Sequence, residues 1–275
     1  MKYSISNIAW APGDADRIYD RLAGAGITGL EIAPGLFFPA ADDPFAVDQA
    51  ACDAARKSLA SHGLRLTSMQ SLLFGAKDAS LFGNAAERRG FHEATARAIA
   101  LGGRLGGLNL VFGSPANRRI PDGMSAAAAR EIWQPALTDL GGLAQKAGSI
   151  LALETNPEGY GTNFMTTLAE TRRIAETLDH PGIGINLDLG ALIMTGEIET
   201  LGDWLPETLP LISHVHLSAP NLAPIAGEAL HVRRLVAALG QGGYERWCSV
   251  EMRAAPGALD GALDGALELI GALDG

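Results

Sequence analysis

The 275-residue chain is long enough for one large α/β domain or two small ones, and with 47% hydrophobic residues it can bury a substantial core. Its net charge of −10 argues against a surface built for nucleic acid, which needs clustered Lys and Arg to neutralise phosphates. The two cysteines, Cys52 and Cys248, stand far apart without metal-type spacing, so neither a disulfide framework nor a thiolate zinc site is supported.

The first residues lack an apolar signal core, and no run reaches the roughly 18 apolar residues of a membrane span. A soluble, cytoplasmic protein that handles a small molecule, without nucleic acid or membrane partners, is the expectation. Along the chain, short apolar runs alternate with longer Ala-rich amphipathic stretches. The predicted order is strand 3–8, helix 15–25, strand 29–32, helix 45–62, strand 65–70, helix 85–103, strand 107–112 and helix 125–146. It continues with strand 150–154, helix 168–178, strand 183–188, helix 201–207, strand 213–216, helix 230–239, strand 248–252 and helix 258–273.

Eight strands, each followed by a helix, make the count of a (β/α)8 TIM barrel, read here as a single domain over residues 1–275. Glycines such as Gly26, Gly63 and Gly243 punctuate the turns into strands, and no Pro/Ser-rich linker divides the chain. The strand-to-helix loops 33–44 and 71–83 are the long ones. In barrels that face carries function. In the last helix a four-residue repeat predicts an apolar stripe of Leu259, Leu263 and Leu267 beside a solvated one of Asp260, Asp264 and Glu268.

Four strand ends carry the chemistry: Glu154, Asp188, His216 and Glu251 each close an apolar run. In a closed parallel barrel these ends converge on one cavity. Any one of the carboxylates alone reads equally well as a cap or ion-pair residue. Three together would repel unless a divalent cation neutralised them, and three oxygens with one nitrogen suit Mn2+, Mg2+, Co2+ or Zn2+. Alternation places His214 on the same side as His216 at a different depth. Asn117, Arg118 and Arg119 are candidates for an anionic substrate group, Arg offering a fork of donors. Glu31, Gln70 and Glu158 add polar groups at the rim, and Trp10, Phe37, Phe38 and Phe74 could wall a sugar ring.

These residues and their order resemble the xylose isomerase-like, or AP endonuclease family 2, barrels, a sugar phosphate isomerase/epimerase group. The strand-end segments that carry the resemblance are 29–32, 112–118, 154–163 and 243–251. The resemblance implies one divalent metal ion held by Glu154, Asp188, His216 and Glu251. It also implies Glu154 and Glu251 as the catalytic pair that moves a proton on a carbohydrate or polyol substrate through an enediolate. Glu31, Gln70, Asn117, Arg118, Glu158, His214 and His231 are then the expected substrate-binding residues. Related barrels are often dimers or tetramers, so a homo-oligomer is compatible with it.

Two positions depart from that pattern. Ala191 stands where many relatives carry a His three residues after the strand-6 Asp, and Ala219 where they carry an acid three after the strand-7 His. Both remove polar groups that hold substrate or orient a ligand. The three-zinc cluster of endonuclease IV is not expected, since Gln70, Phe112 and Ala191 replace its extra ligands. An inosose-type dehydratase on the same metal site, and a non-catalytic barrel that has lost activity, stay open as alternatives.

Overall fold

The computed structural model describes residues 1–273; Asp274 and Gly275, the end of the expected single domain, lie outside the described residues. Eight strands run β1 (Lys2–Ser6), β2 (Gly29–Ile32), β3 (Arg65–Met69), β4 (Asn109–Phe112), β5 (Ile150–Glu154), β6 (Ile183–Asp188), β7 (Ile212–Ser218) and β8 (Trp247–Glu251). They pair in parallel, in sequence order, and close β8 onto β1. The fold is a (β/α)8 TIM barrel, as the strand and helix rhythm predicts. The helices are α1 (Ala15–Gly24), α2 (Pro34–Phe37), α3 (Gln49–Ser61), α4 (Ala85–Arg104), α5 (Ala126–Lys146), α6 (Leu168–Leu178), α7 (Leu189–Thr195), α8 (Leu201–Thr208), α9 (Ala229–Gln241) and α10 (Leu259–Gly271).

Differences from the predicted elements have local causes. The fourth strand starts at Asn109 instead of residue 107 because Gly106 and Gly107 take left-handed φ of 108° and 78°, outside the extended region. The seventh runs on to Ser218, two residues past His216. The short helices α2 and α7 sit where loops are expected. Helix α7 is capped by Asp188 and stopped by Gly196 at φ 74°, so its seven mostly apolar residues show no amphipathic period. In α10 the fully buried residues are Leu263, Ala266, Leu269 and Ile270, while Leu259 and Leu267 are only partly covered. A four-residue repeat drifts by about 40° per step on a helix, so the expected stripe slides off the buried face.

Strand alternation divides apolar from polar residues. Leu151, Leu153, Ile185, Leu187, Val215, Leu217 and Val250 are fully buried in the layer between barrel and helices. Inside the barrel many of the side chains are polar. Ser213 Oγ on β7 donates to Asn109 Oδ1 on β4 at 2.7 Å, and Glu31 on β2 meets His216 on β7 at 2.9 Å. Neither strand pair is adjacent, so both contacts cross the interior. At the opposite end Trp247 plugs the barrel; an added Cβ on Gly29 would collide with its ring and come within 2.7 Å of Ser4 Cβ. A branched-aliphatic filling is the usual solution for such barrels. Here much of the interior is hydrogen-bonded, and burying those groups is tolerable because most have partners.

The ring of helices is held by ordinary means. Helix α4 starts with a capping box, Asn84 Oδ1 accepting from the Ala86 and Glu87 amides and Glu87 Oε2 accepting from the Asn84 amide. Arg17 and Arg21 of α1 pair with Asp260 of α10, and Arg21 also with Asp264, so first and last helices meet. Being solvent-exposed, these pairs add little stability. Asn84→Ala should lower the unfolding free energy by about 1 kcal/mol in a urea titration and leave ligand binding unchanged; no loss would mean that the box is incidental.

Candidate functional site

The register of the last four strands builds the site. Glu154 lies opposite Asn186, Asp188 opposite His216, and Ser218 opposite Glu251, so these side chains follow one another around the inner wall at the C-terminal mouth. His216 is their centre. Its Nδ1 lies 3.1 Å from Glu154 Oε1, 3.2 Å from Glu251 Oε2 and 3.7 Å from Asp188 Oδ2. Its Nε2 lies 2.9 Å from Glu31 Oε2, and His214 Nε2 reaches the same oxygen at 3.2 Å.

Three of the carboxylates are positioned by hydrogen-bond donors. Glu154 accepts from Asn186 Nδ2 at 2.7 Å on one oxygen and from Asn156 Nδ2 at 3.1 Å on the other. Asp188 Oδ1 caps α7 by accepting from the Ala191 amide at 2.6 Å, and its Oδ2 accepts from Ser218 Oγ at 2.7 Å. Gly113, just past β4, leaves the space that the Glu154 carboxylate fills; a Cβ there would run into Glu154 Oε2. Glu31 accepts from Gln70 Nε2 at 3.0 Å, and the same amide donates to Ser6 Oγ at 2.9 Å.

Burial and charge set the ionisation of the group. Burial alone would raise the Glu31 carboxyl, but the His216 and His214 imidazoles facing it hold it well below the usual carboxylate range. Burial works against a charged His216, and Glu31, Glu251 and the other carboxylates override it, holding His216 well above the usual histidine value. His214 is pushed down by burial. Glu251 is pushed up to about 7, by burial first, with the Glu154 and Asp188 charges adding to it and His216 opposing.

The donor set fits a divalent cation. His216 Nδ1 is buried without a hydrogen-bond partner, although three carboxylate oxygens surround it. That is proximity without hydrogen-bond alignment: the oxygens lie together on one side of the ring, beside the nitrogen. One atom each from Glu154, Asp188 and His216 lies within 4.8 Å of the others, and the same holds for Glu31, His214 and His216. A neutral His216 whose Nε2 proton is directed at Glu31 would present the Nδ1 lone pair to an ion among those oxygens, the arrangement that carboxylate–histidine pairs give to metal ligands. The structure thus brings together the four strand-end residues predicted to share a cavity.

The other predicted residues divide. Glu31, Gln70 and His214 form the floor below His216 and are buried. Asn117 borders the mouth, with its amide donating to the Ala79 carbonyl at 2.7 Å. Three of the expected substrate residues do not line the mouth. Arg118 is fully buried, and its guanidinium donates to the carbonyls of Phe164 and Glu154 and to Asn156 Oδ1 at 2.8 to 2.9 Å. It braces the segment after β5 and is closed to substrate; burial lowers its pKa to about 10. Glu158 is exposed and borders neither lobe of the mouth. His231 lies outside both lobes and pairs with Glu228 at 2.7 Å, three residues earlier. Arg119 faces Asp122 on the surface.

Two cavity lobes of about 390 and 500 Å3 open above the carboxylates and share Ser114, Pro115, Glu154 and Glu251. The first is bounded by Gln70, Phe74 and Asn117, the second by Tyr160, Ala219, Asn221 and Arg253. Of the expected aromatic wall, Phe74 is at the mouth and 77% exposed, Trp10 is core, and Phe38 lines a separate cavity between the 33–48 and 71–83 loops. Asn156, Asn186, Ser218 and Arg253 were not singled out from sequence. Each sits two residues from a ligand candidate, the same-face spacing of a strand, and that spacing is the signal that finds them.

A closed eight-stranded parallel barrel with an acidic, imidazole-centred mouth defines a (β/α)8 barrel whose site is built at its strand ends. The chain belongs to the xylose isomerase-like TIM barrel family, whose sequence profile matches residues 19–272. No curated protein matches it by sequence. In fold it is similar to a D-psicose 3-epimerase from Clostridium cellulolyticum H10, with TM-score 0.76 and 16% identity, covering 100% of this chain and 98% of that one. It is also similar to the 3-keto-D-glucoside 4-epimerase of E. coli, with TM-score 0.72, 18% identity and coverage of 98% and 99%. An AP endonuclease, family 2, from Brucella melitensis aligns with TM-score 0.67, 17% identity and coverage of 92% and 93%. Among the described residues no helix is long and apolar enough to cross a membrane.

Two measurements probe the site. Glu31→Gln removes the charge that orients His216 and should weaken Mn2+ binding roughly 10- to 100-fold by calorimetry; unchanged affinity would remove Glu31 from the site. A cation binding here displaces protons from Glu251 and His216, both raised in the metal-free protein. Mn2+ affinity should therefore fall as pH drops through about 7, with proton release visible as a dependence of binding heat on buffer. A pH-independent affinity would contradict this coupling.

Proposed function

We propose that the chain is a divalent-metal-dependent isomerase or epimerase of a sugar or sugar phosphate, working by proton transfer through an enediolate. The observation that carries this reading is a pair of buried carboxylates, Glu154 and Glu251, whose oxygens lie 3.1 and 3.2 Å from the same His216 nitrogen and which both line both lobes of the mouth. The fold likeness to sugar epimerases supports it. Glu154, Asp188, His216 and Glu251 would hold the ion, which when bound polarises the carbonyl and hydroxyl oxygens of a sugar and stabilises negative charge on them.

The protein's own groups do the rest. Glu154, fixed by Asn156 and Asn186 on its two oxygens, is oriented to take a proton from the carbon beside the substrate carbonyl. The C–H electrons move into a carbon–carbon double bond and the carbonyl π electrons onto oxygen, which is the enediolate. Glu251, in its protonated form, would deliver a proton to that carbon from the other side, the proton on Glu154 passing to solvent. Return to the opposite face inverts the centre; delivery to the neighbouring carbon isomerises the sugar. The hydrogen-bonded floor of Glu31, Gln70 and His214 keeps His216 in place throughout.

The test is solvent exchange. With Mn2+ and D-fructose in D2O, proton NMR should show deuterium entering beside the carbonyl. Glu154→Gln and Glu251→Gln should each slow that exchange about 100- to 10,000-fold. Exchange that survives both changes, or a chain that binds no Mn2+, would sink the reading and favour a non-catalytic barrel.

A further inference from the structure

We infer that Arg253 forms an anion-binding subsite in the second lobe of the mouth, so that the substrate is an acidic sugar bearing a carboxylate or phosphate at the end of its chain. This rests on the sugar isomerase or epimerase reading and narrows it to a substrate class. Arg253 follows β8 two residues after Glu251 and lines the lobe that also exposes Glu154, Asp188 and Glu251. Among the described residues it is the one cationic side chain lining either lobe. Its guanidinium is exposed and has no hydrogen bond or ion pair within the described chain. Most of the other arginines are engaged: Arg17, Arg21, Arg56, Arg97, Arg172 and Arg234 pair with carboxylates, and Arg118 donates to buried acceptors.

The backbone around Arg253 is anchored while its side chain is free. Its amide donates to the Leu222 carbonyl at 2.7 Å, tying the end of β8 to the loop after β7. In that loop Asn221 and Leu222 take left-handed φ of 58° and 59°, a conformation that side-chain-bearing residues adopt at a cost. The Asn221 amide is held by Tyr160 Oη at 3.1 Å. The Asn221 side chain borders the same lobe and has no partner within the described chain. A guanidinium and a carboxamide, both unengaged, thus flank one space, and Ala219 beside them supplies no charge to neutralise the guanidinium.

Distance fits the assignment. Arg253 stands two residues after Glu251, a Cα separation of at most about 7 Å, comparable with the length of a five- or six-carbon sugar chain. A sugar whose reacting carbon lies between Glu154 and Glu251 would place its terminal group near Arg253. A neutral hydroxymethyl end would leave the guanidinium unpaired. A carboxylate or phosphate would take its fork of donors, the geometry in which Arg is strongest. Arg118, where the sequence points for this role, is closed to it by burial.

Calorimetry on the Mn2+-loaded protein tests the assignment with three probes: D-fructose, D-fructose 6-phosphate and 5-keto-D-gluconate. The protein should bind the phosphate or the carboxylate about 10- to 100-fold more tightly than the neutral ketose, and which of the two wins identifies the anion. Arg253→Ala should erase that preference while leaving the affinities for Mn2+ and D-fructose unchanged, and Arg253→Lys should keep part of it. Asn221→Asp, which retains a residue tolerant of left-handed φ, should also reduce the preference by placing a negative charge in the lobe. Equal affinity for all three sugars, or a preference that persists in Arg253→Ala, overturns the anion site while the metal and exchange results stand. Loss of Mn2+ binding and of solvent exchange in the unaltered protein would instead overturn the parent reading, and the subsite with it.

Discussion

The contact on which the mouth of this barrel depends is the one between Glu31 and His216. A carboxylate with no access to water is costly unless a counter-charge or donors meet it. Here an imidazole from the far side of the barrel does so, aided by His214 and Gln70. The contact joins β2 to β7 through the interior, fixes which ring nitrogen of His216 faces inward, and leaves the other directed at Glu154, Asp188 and Glu251. Remove Glu31 and the ring loses its orientation, and three carboxylates lose their common centre.

That contact is part of a wider arrangement in which β-strand alternation assigns two different jobs to one chain. Outward residues such as Leu151, Val215 and Val250 pack against helices and supply the hydrophobic stabilisation of the fold. Inward residues, from Trp247 at one end to Glu251 at the other, graduate from a plug through hydroxyls and amides to ionisable groups. Stability and chemistry are thereby placed on opposite faces of the same strands. A core substitution and a site substitution can lie one residue apart.

Much of this was legible in the sequence, for physical reasons. Glu154, Asp188, His216 and Glu251 interrupt apolar runs at turns between elements, and a closed barrel has one place to bring such ends together. The residues that position them were less visible because Asn and Ser at strand ends look like ordinary turn residues. Only the two-residue spacing of Asn156 from Glu154, Asn186 from Asp188 and Ser218 from His216 marks them. Arg118 misleads because an arginine in a loop is usually solvated, and nothing local shows that the segments after β4 and β5 fold over it. For His231 the sequence does show the partner: Glu228 stands three residues before it, the spacing of a helical pair.

Asp188 and Glu251 differ in what ties them to the fold. Asp188 caps α7 and accepts from Ser218, so the local architecture requires it whether or not the mouth is used. Glu251 has no hydrogen bond of that kind among the described residues; its close contact is with His216. Across descendants of such a barrel, an aspartate at the first position would persist by structural inertia after a loss of chemistry. A glutamate at the second would drift toward residues easier to bury. The second position is therefore the better indicator of a working mouth in a related sequence, although the first is the more firmly held.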